Sequence, residues 1–166
     1  MSTALTNTNG EPLRIPELDK NAIGKFYVVT AEWNPDITTP LRKGAVKVLK
    51  KAGVAERNIC EISVPGTVEL VNAAALIARG GEAEAVIIIG CVIRGDTPHF
   101  DYVCQIAAQG VAQINAEGLT PVIFGVLTVE NLAQAQERAG GKLGNKGEEA
   151  AAAAISMVNL HKRFRR

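Results

Sequence analysis

The chain has 166 residues, about the length of one domain, and 47% hydrophobic with 21% charged residues is the balance of a folded chain rather than a disordered one. Eighteen Lys and Arg against 17 Asp and Glu leave a formal net charge of +1, too little for the broad positive field of a non-specific nucleic-acid binder. No apolar run approaches the roughly 18–20 residues that cross a bilayer, and Met1–Gly10 has neither the basic start nor the apolar stretch of a signal peptide, so the expectation is a cytoplasmic protein without nucleic-acid or membrane partners.

Residues 1–22 carry Thr, Asn, Gly and Pro without periodicity and read as an extended N-terminal arm that packs on something else, with residues 23–166 as a single α/β domain. Phe26–Thr30 is a short β-branched and aromatic run suited to a buried strand. Asn34 or Asp36 then caps a helix in which Ile37, Leu41, Ala45, Val48, Leu49 and Ala52 recur near the 3.6-residue period, ended by Gly53. Asn58–Val64 reads as a second strand, and Thr67–Ala78 as a helix apolar almost all the way round, which in a domain this small points to a subunit contact. Ala85–Ile93 has the continuous Val-Ile-Ile-Ile character of a central parallel strand. Pro98 opens a helix to about Ala116, and Pro121–Leu127 is a fourth strand. Thr128 or Glu130 starts a helix to about Ala139. Gly140–Gly147 is a loop with four glycines, and Glu148–His161 is an alanine-rich last helix with a frayed basic end. This alternation predicts a three-layer α/β/α sandwich around a four-stranded parallel sheet.

In such a sheet, ligands bind beyond the carboxyl ends of the strands. The loop Ile93-Arg94-Gly95-Asp96-Thr97-Pro98-His99 directly precedes a helix whose free N–H groups and dipole favour an anion; the competing reading is that Thr97 merely caps it. His99, in the first turn, is placed to exchange protons near neutrality, although a lone histidine is by default a hydrogen-bonded surface group. Trp33 is the only tryptophan; it can stack on a planar heterocycle while Asn34 reads its carbonyl or ring nitrogen. Read alone, Trp33 is better explained as a piece of core or interface. Glu69 can contact polyol hydroxyls or simply face its helix dipole. Arg138 and Lys146 are by default solvated cations. Cys60, Cys91 and Cys104 are odd in number without metal-ligand or redox spacing, so they read as reduced, buried thiols rather than nucleophiles. Gly144-Asn145-Lys146-Gly147 is no P-loop, and the chain lacks G-x-G-x-x-G.

Taken in order, Ala31–Thr38, Val64-Pro65-Gly66-Thr67-Val68-Glu69, Val92–Cys104 with its Arg-Gly-Asp-Thr-Pro-His-Phe core, Pro121–Thr128, and Arg138–Gly140 with Gly144–Gly147 together resemble the 6,7-dimethyl-8-ribityllumazine synthase family over about residues 22–160. The resemblance implies a flavodoxin-like fold and a transferase acting in riboflavin biosynthesis. Its substrates would be 5-amino-6-(D-ribitylamino)uracil and 3,4-dihydroxy-2-butanone 4-phosphate, condensed without metal or organic cofactor. Carried over residue by residue, Trp33 would stack on the uracil with Asn34 beside it, and Thr67, Val68 and Glu69 would line the ribityl chain. Cys91, Val92 and Ile93 would continue the pyrimidine pocket, closed by Phe124 with Lys146 nearby. Asp96, Thr97 and Arg138 would hold the phosphate, and His99 would transfer protons. The family often has an aromatic where this chain has Val68, and phenylalanine where it has Trp33.

The same resemblance implies sites shared between subunits, with Phe124 and Arg138 supplied by the neighbouring chain, and a homo-oligomer built from pentamers. The short Gly140–Gly147 segment lacks the insertion of pentamer-only relatives, so the expectation is an icosahedral capsid of 60 subunits. Association with riboflavin synthase stays open. Two competing classes remain: a paralogue kept as a shell or flavin-like ligand binder, favoured only by Val68, and a flavodoxin-like cofactor carrier argued from fold alone.

Overall fold

The computed structural model describes residues 10–164. Its elements are β1 (Lys25–Ala31), α1 (Pro35–Lys51), β2 (Ile59–Val64), α2 (Thr67–Arg79), β3 (Ala83–Ile93), α3 (His99–Ala116), β4 (Val122–Val129), α4 (Leu132–Arg138), the short β5 (Ala139–Gly141) and β6 (Gly144–Asn145), and α5 (Lys146–Phe164). The four long strands make one parallel sheet in the order β2-β1-β3-β4, covered by helices on both faces. This is the three-layer architecture that the alternation predicts, and every strand therefore ends at the same edge of the sheet.

Because strand side chains alternate between faces, the sheet feeds two cores. Phe26 and Val28 of β1 and Ala85, Ile87 and Ile89 of β3 meet Leu41, Val48 and Leu49 of α1 and Ala151, Ile155 and Val158 of α5. On the opposite face Val29, Val86 and Ile88 meet Leu70 and Ala74 of α2 and Val111 and Ile114 of α3. Ala85–Ile89 are fully buried, as a central strand with no solvent face must be. On the first face the backbones come close: a Cβ on Gly147 would fall on the Leu41 carbonyl, and one on Gly44 would lie 2.7 Å from the Asn145 amide.

Several boundaries differ from the sequence expectation, each for a local reason. Asn34 does not cap α1 with its side chain; it sits in the left-handed region at φ 57° and uses its amide elsewhere. β4 runs on to Val129 because Thr128 and Val129 still pair with Val92 and Ile93, and α4 is capped by Asn131, whose Oδ1 accepts from the Gln134 N–H. The expected glycine loop holds the antiparallel β5–β6 pair. α5 begins at Lys146, where the Asn145 Oδ1 accepts from the Gly147 and Glu148 N–H groups. Its basic end is not simply frayed: the helix continues to Phe164, and Lys162 meets Glu84 at 2.8 Å.

The expected arm is described only from residue 10; residues 1–9 and Arg165 and Arg166 lie outside the described residues. Leu13, Ile15 and Leu18 pack on the chain's own α1–α5 core. The Leu18 N–H donates to the Ala52 carbonyl, and the Asp19 N–H to Asn159 Oδ1. Among the described residues no helix is long and apolar enough to cross a membrane.

Candidate active site

The carboxyl edge of the sheet gathers the loops after β1, β2 and β3. The β1–α1 loop is fastened to β3 by the Asn34 Nδ2, which donates to the Cys91 carbonyl at 2.9 Å. The left-handed turn at Asn34 leaves its neighbour Trp33 70% exposed, so Trp33 is not part of this chain's core. It lies over the β2–α2 loop, where the Cβ position of Gly66 is 3.5 Å from Trp33 Cδ1 and 2.9 Å from a Glu69 carboxylate oxygen. A large flat ring, an amide and a carboxylate thus share one mouth. Thr67 is buried and Val68 half-buried at the start of α2.

The loop after β3 is open. Gly95, Asp96, Thr97, Pro98 and His99 are all exposed, and among the described residues, its chain neighbours apart, nothing comes within 4 Å of the Cβ position of Gly95. Pro98, not Thr97, occupies the cap position of α3, and among the described residues no side chain caps the helix. That outcome disfavours the reading of Thr97 as a plain N-cap and leaves the helix mouth facing solvent. Cys91 is buried, and burial pushes its thiol up to about 11; burial also raises the Cys104 thiol, with the Asp101 charge adding to it. Both sulfurs are held protonated near neutrality, which argues against a thiolate mechanism.

Three of the expected residues are elsewhere. Phe124, Arg138 and Lys146 line a cleft of about 450 Å³ along the outer strand β4, together with Thr128, Glu149 and Ala150. Trp33, Glu69 and His99 are not among its lining residues. Arg138 donates through NH1 to the Gln134 carbonyl at 3.0 Å, and Lys146 pairs with Glu149 at 2.8 Å. Both cations are half-buried and held, rather than the freely solvated groups that spacing suggests. One chain therefore carries two separate groups of candidate residues: a mouth built on β1, β2 and β3, and a wall bearing Arg138 and Lys146 built on β4, α4 and α5.

Sequence reasoning gives Arg94 no role and Glu130 only that of a candidate helix start. Arg94 Nε donates to Glu130 at 2.7 Å and NH1 to Asp101 at 3.2 Å, with the guanidinium 4.2 Å from the Phe100 ring centroid. The one available signal was a basic residue at a strand end seven positions before an acidic one in a helix's first turn.

The profile of the family described as 6,7-dimethyl-8-ribityllumazine synthase matches residues 24–162. A protein of that name from Porphyromonas gingivalis is 56% identical over 138 residues, 83% of this chain and 86% of the relative. One from Bacteroides fragilis is 55% identical over 136 residues, covering 82% and 95%. Another, from Parabacteroides distasonis, is 46% identical over 161 residues, covering 96% and 99%. The chain belongs to this family.

Proposed function

From that membership we infer that the chain condenses 5-amino-6-(D-ribitylamino)uracil with 3,4-dihydroxy-2-butanone 4-phosphate to 6,7-dimethyl-8-ribityllumazine, a step of riboflavin biosynthesis. The geometric observation that carries the reading is the shared mouth, with Trp33 over Gly66, Glu69 beside it and Asn34 tied to β3. A planar pyrimidine bearing a polyol needs this combination: a face to stack on, an amide to read the ring, and a carboxylate for hydroxyls.

In this proposal Trp33 stacks on the uracil, Asn34 with Cys91, Val92 and Ile93 borders it, and Thr67, Val68 and Glu69 line the ribityl chain. The butanone phosphate sits at the uncapped mouth of α3, where Asp96 and Thr97 flank the phosphate and the helix N–H groups face it. The 5-amino group adds to the ketone and loses water to give an imine. Elimination then expels phosphate, tautomerisation follows, and ring closure with loss of a second water completes the lumazine. His99 carries the protons, and Arg138 stabilises the departing phosphate.

The separation of mouth and wall supports sites completed between subunits, with Phe124, Arg138 and Lys146 of one chain closing the mouth of its neighbour. Exposed Leu76 on α2 and Tyr102 and Ile106 on α3 supply an apolar face for that contact. We read residues 23–166 as one cytoplasmic catalytic domain with 1–22 as its arm. The assembly is read as pentamers closing into a 60-subunit shell, with riboflavin synthase as a candidate associate.

The test is formation of the lumazine product, followed by absorbance, from the two substrates and purified protein. His99→Ala is expected to lower turnover by about 100-fold or more while leaving the assembly intact, and Arg138→Ala to raise KM for the butanone phosphate. An assembled protein that binds the pyrimidine without turnover would overturn the catalytic reading in favour of a binding or shell paralogue. Sedimentation at the mass of a single pentamer would overturn the shell.

A further inference from the structure

We propose that Arg94 is a positioning residue that couples the two half-sites of each chain, and through them two different active centres of the assembly. The inference rests on the reading above, in which His99 and Arg138 act in the condensation and one chain's mouth meets its neighbour's wall.

Arg94 stands at the junction of the two halves. Its backbone N–H donates to the Val129 carbonyl at 2.9 Å, one step beyond the last β3–β4 pair. On the mouth side its guanidinium holds Asp101 and lies against Phe100, the residue after His99, and so fixes the first turn of α3. On the wall side it holds Glu130, directly before the cap of α4. From there the bonds continue. The Glu130 N–H donates to Gln134 Oε1 at 2.9 Å, and the Gln134 carbonyl accepts from Arg138 NH1 at 3.0 Å.

α4 has seven residues, too few to hold itself helical, so external anchors set where it starts and where Arg138 points. A planar guanidinium can hold two carboxylates on two elements while stacking on a ring; a lysine ammonium, a single point charge, cannot reproduce that geometry. An exposed ion pair contributes little to global stability, which suits a group whose work is local alignment.

The experiment uses co-expressed, differently tagged chains, one carrying His99→Ala and the other Arg138→Ala, purified through both tags. Random mixing completes about a quarter of the centres, those with a mouth from one chain and a wall from the other, so at butanone phosphate concentrations well below the KM of the Arg138→Ala parent the mixed assembly turns over faster than either parent. Arg94→Met is then placed in one chain at a time. In the His99→Ala chain only the wall is in use, and KM for the butanone phosphate is expected to rise about five-fold. In the Arg138→Ala chain only the mouth is in use, and kcat is expected to fall by a similar factor. Arg94→Lys should restore neither. Glu130→Gln, which keeps Arg94 and its contacts to α3, should reproduce the wall effect alone and serves if Arg94→Met fails to assemble. Loss in only one placement, or full rescue by lysine, would overturn the coupling. If the parent pair does not complement although wild type turns over, shared centres are overturned and this inference with them; a wild type without turnover overturns the reaction itself.

Discussion

The two faces of the sheet are finished in different ways. On the α1–α5 face the chain closes on itself at short range: the Gly147 backbone rests against the Leu41 carbonyl, Gly44 against the Asn145 side-chain amide, and Asn145 Nδ2 donates to the Pro40 carbonyl at 3.0 Å. On the α2–α3 face a smaller core is sealed at Val71 and Gly110, yet Leu76 remains 68% and Tyr102 64% exposed. The first face answers the chain's own folding requirement. The second leaves large apolar side chains exposed, which in the proposed assembly a second copy would cover.

The sharpest way to break this contrast is Gly147→Ala. Its methyl group meets a backbone carbonyl rather than the end of a flexible side chain, so the expected loss is about 3 kcal/mol or more in denaturant unfolding. Leu41→Ala, at a fully buried position of the same face, should cost about 3 kcal/mol. Leu76→Asp should leave the circular dichroism spectrum of the chain unchanged while shifting sedimentation toward smaller species. An assembly that tolerates it would remove α2 from the contact.

The smallest expected effect is a pH dependence of the closed face. Burial raises the Glu148 carboxyl above its ordinary value, only partly opposed by Lys47 at 3.6 Å. The folded chain thus binds that proton more tightly than the unfolded chain. This contribution to stability is full at acid pH and is lost as pH rises through the raised value. Glu148→Gln should flatten the decline that sets in as pH rises past the ordinary carboxylate range and through the raised value, measured from urea midpoints.

The strands were legible because an apolar run bounded by Gly, Pro or a capping residue has few other uses, and even the edge strand β2, with Glu61, Ile62 and Ser63 exposed, keeps its β-branched character. The β5–β6 pair was not, since strands of three and two residues rich in glycine have no period to read. The role of Asn34 lay outside local reasoning: its amide is spent on Cys91, 57 residues away, rather than on its own helix. Asn145 did carry a signal, an asparagine three residues before Glu148, but the surrounding glycines read as loop. Trp33, Glu69 and His99 could be singled out as candidates because the parallel sheet fixes which loops gather at its carboxyl edge. The wall could be named only by resemblance, because nothing near Phe124, Arg138 or Lys146 in sequence says that they share a cleft. Arg94 shows the same limit, with partners 7 and 36 residues distant.

The dependence of α1 on α5 also sets an order of events during synthesis. Asn145 and Pro40, which bond directly, are 105 residues apart. At roughly 5–20 residues per second a ribosome leaves the apolar side of α1 waiting on the order of ten seconds for the helix that covers it. Until α5 emerges, a nascent chain has four strands' worth of sequence and only α1 to cover one face, so the apolar side chains that α5 will bury stay open to water and to other chains during that interval.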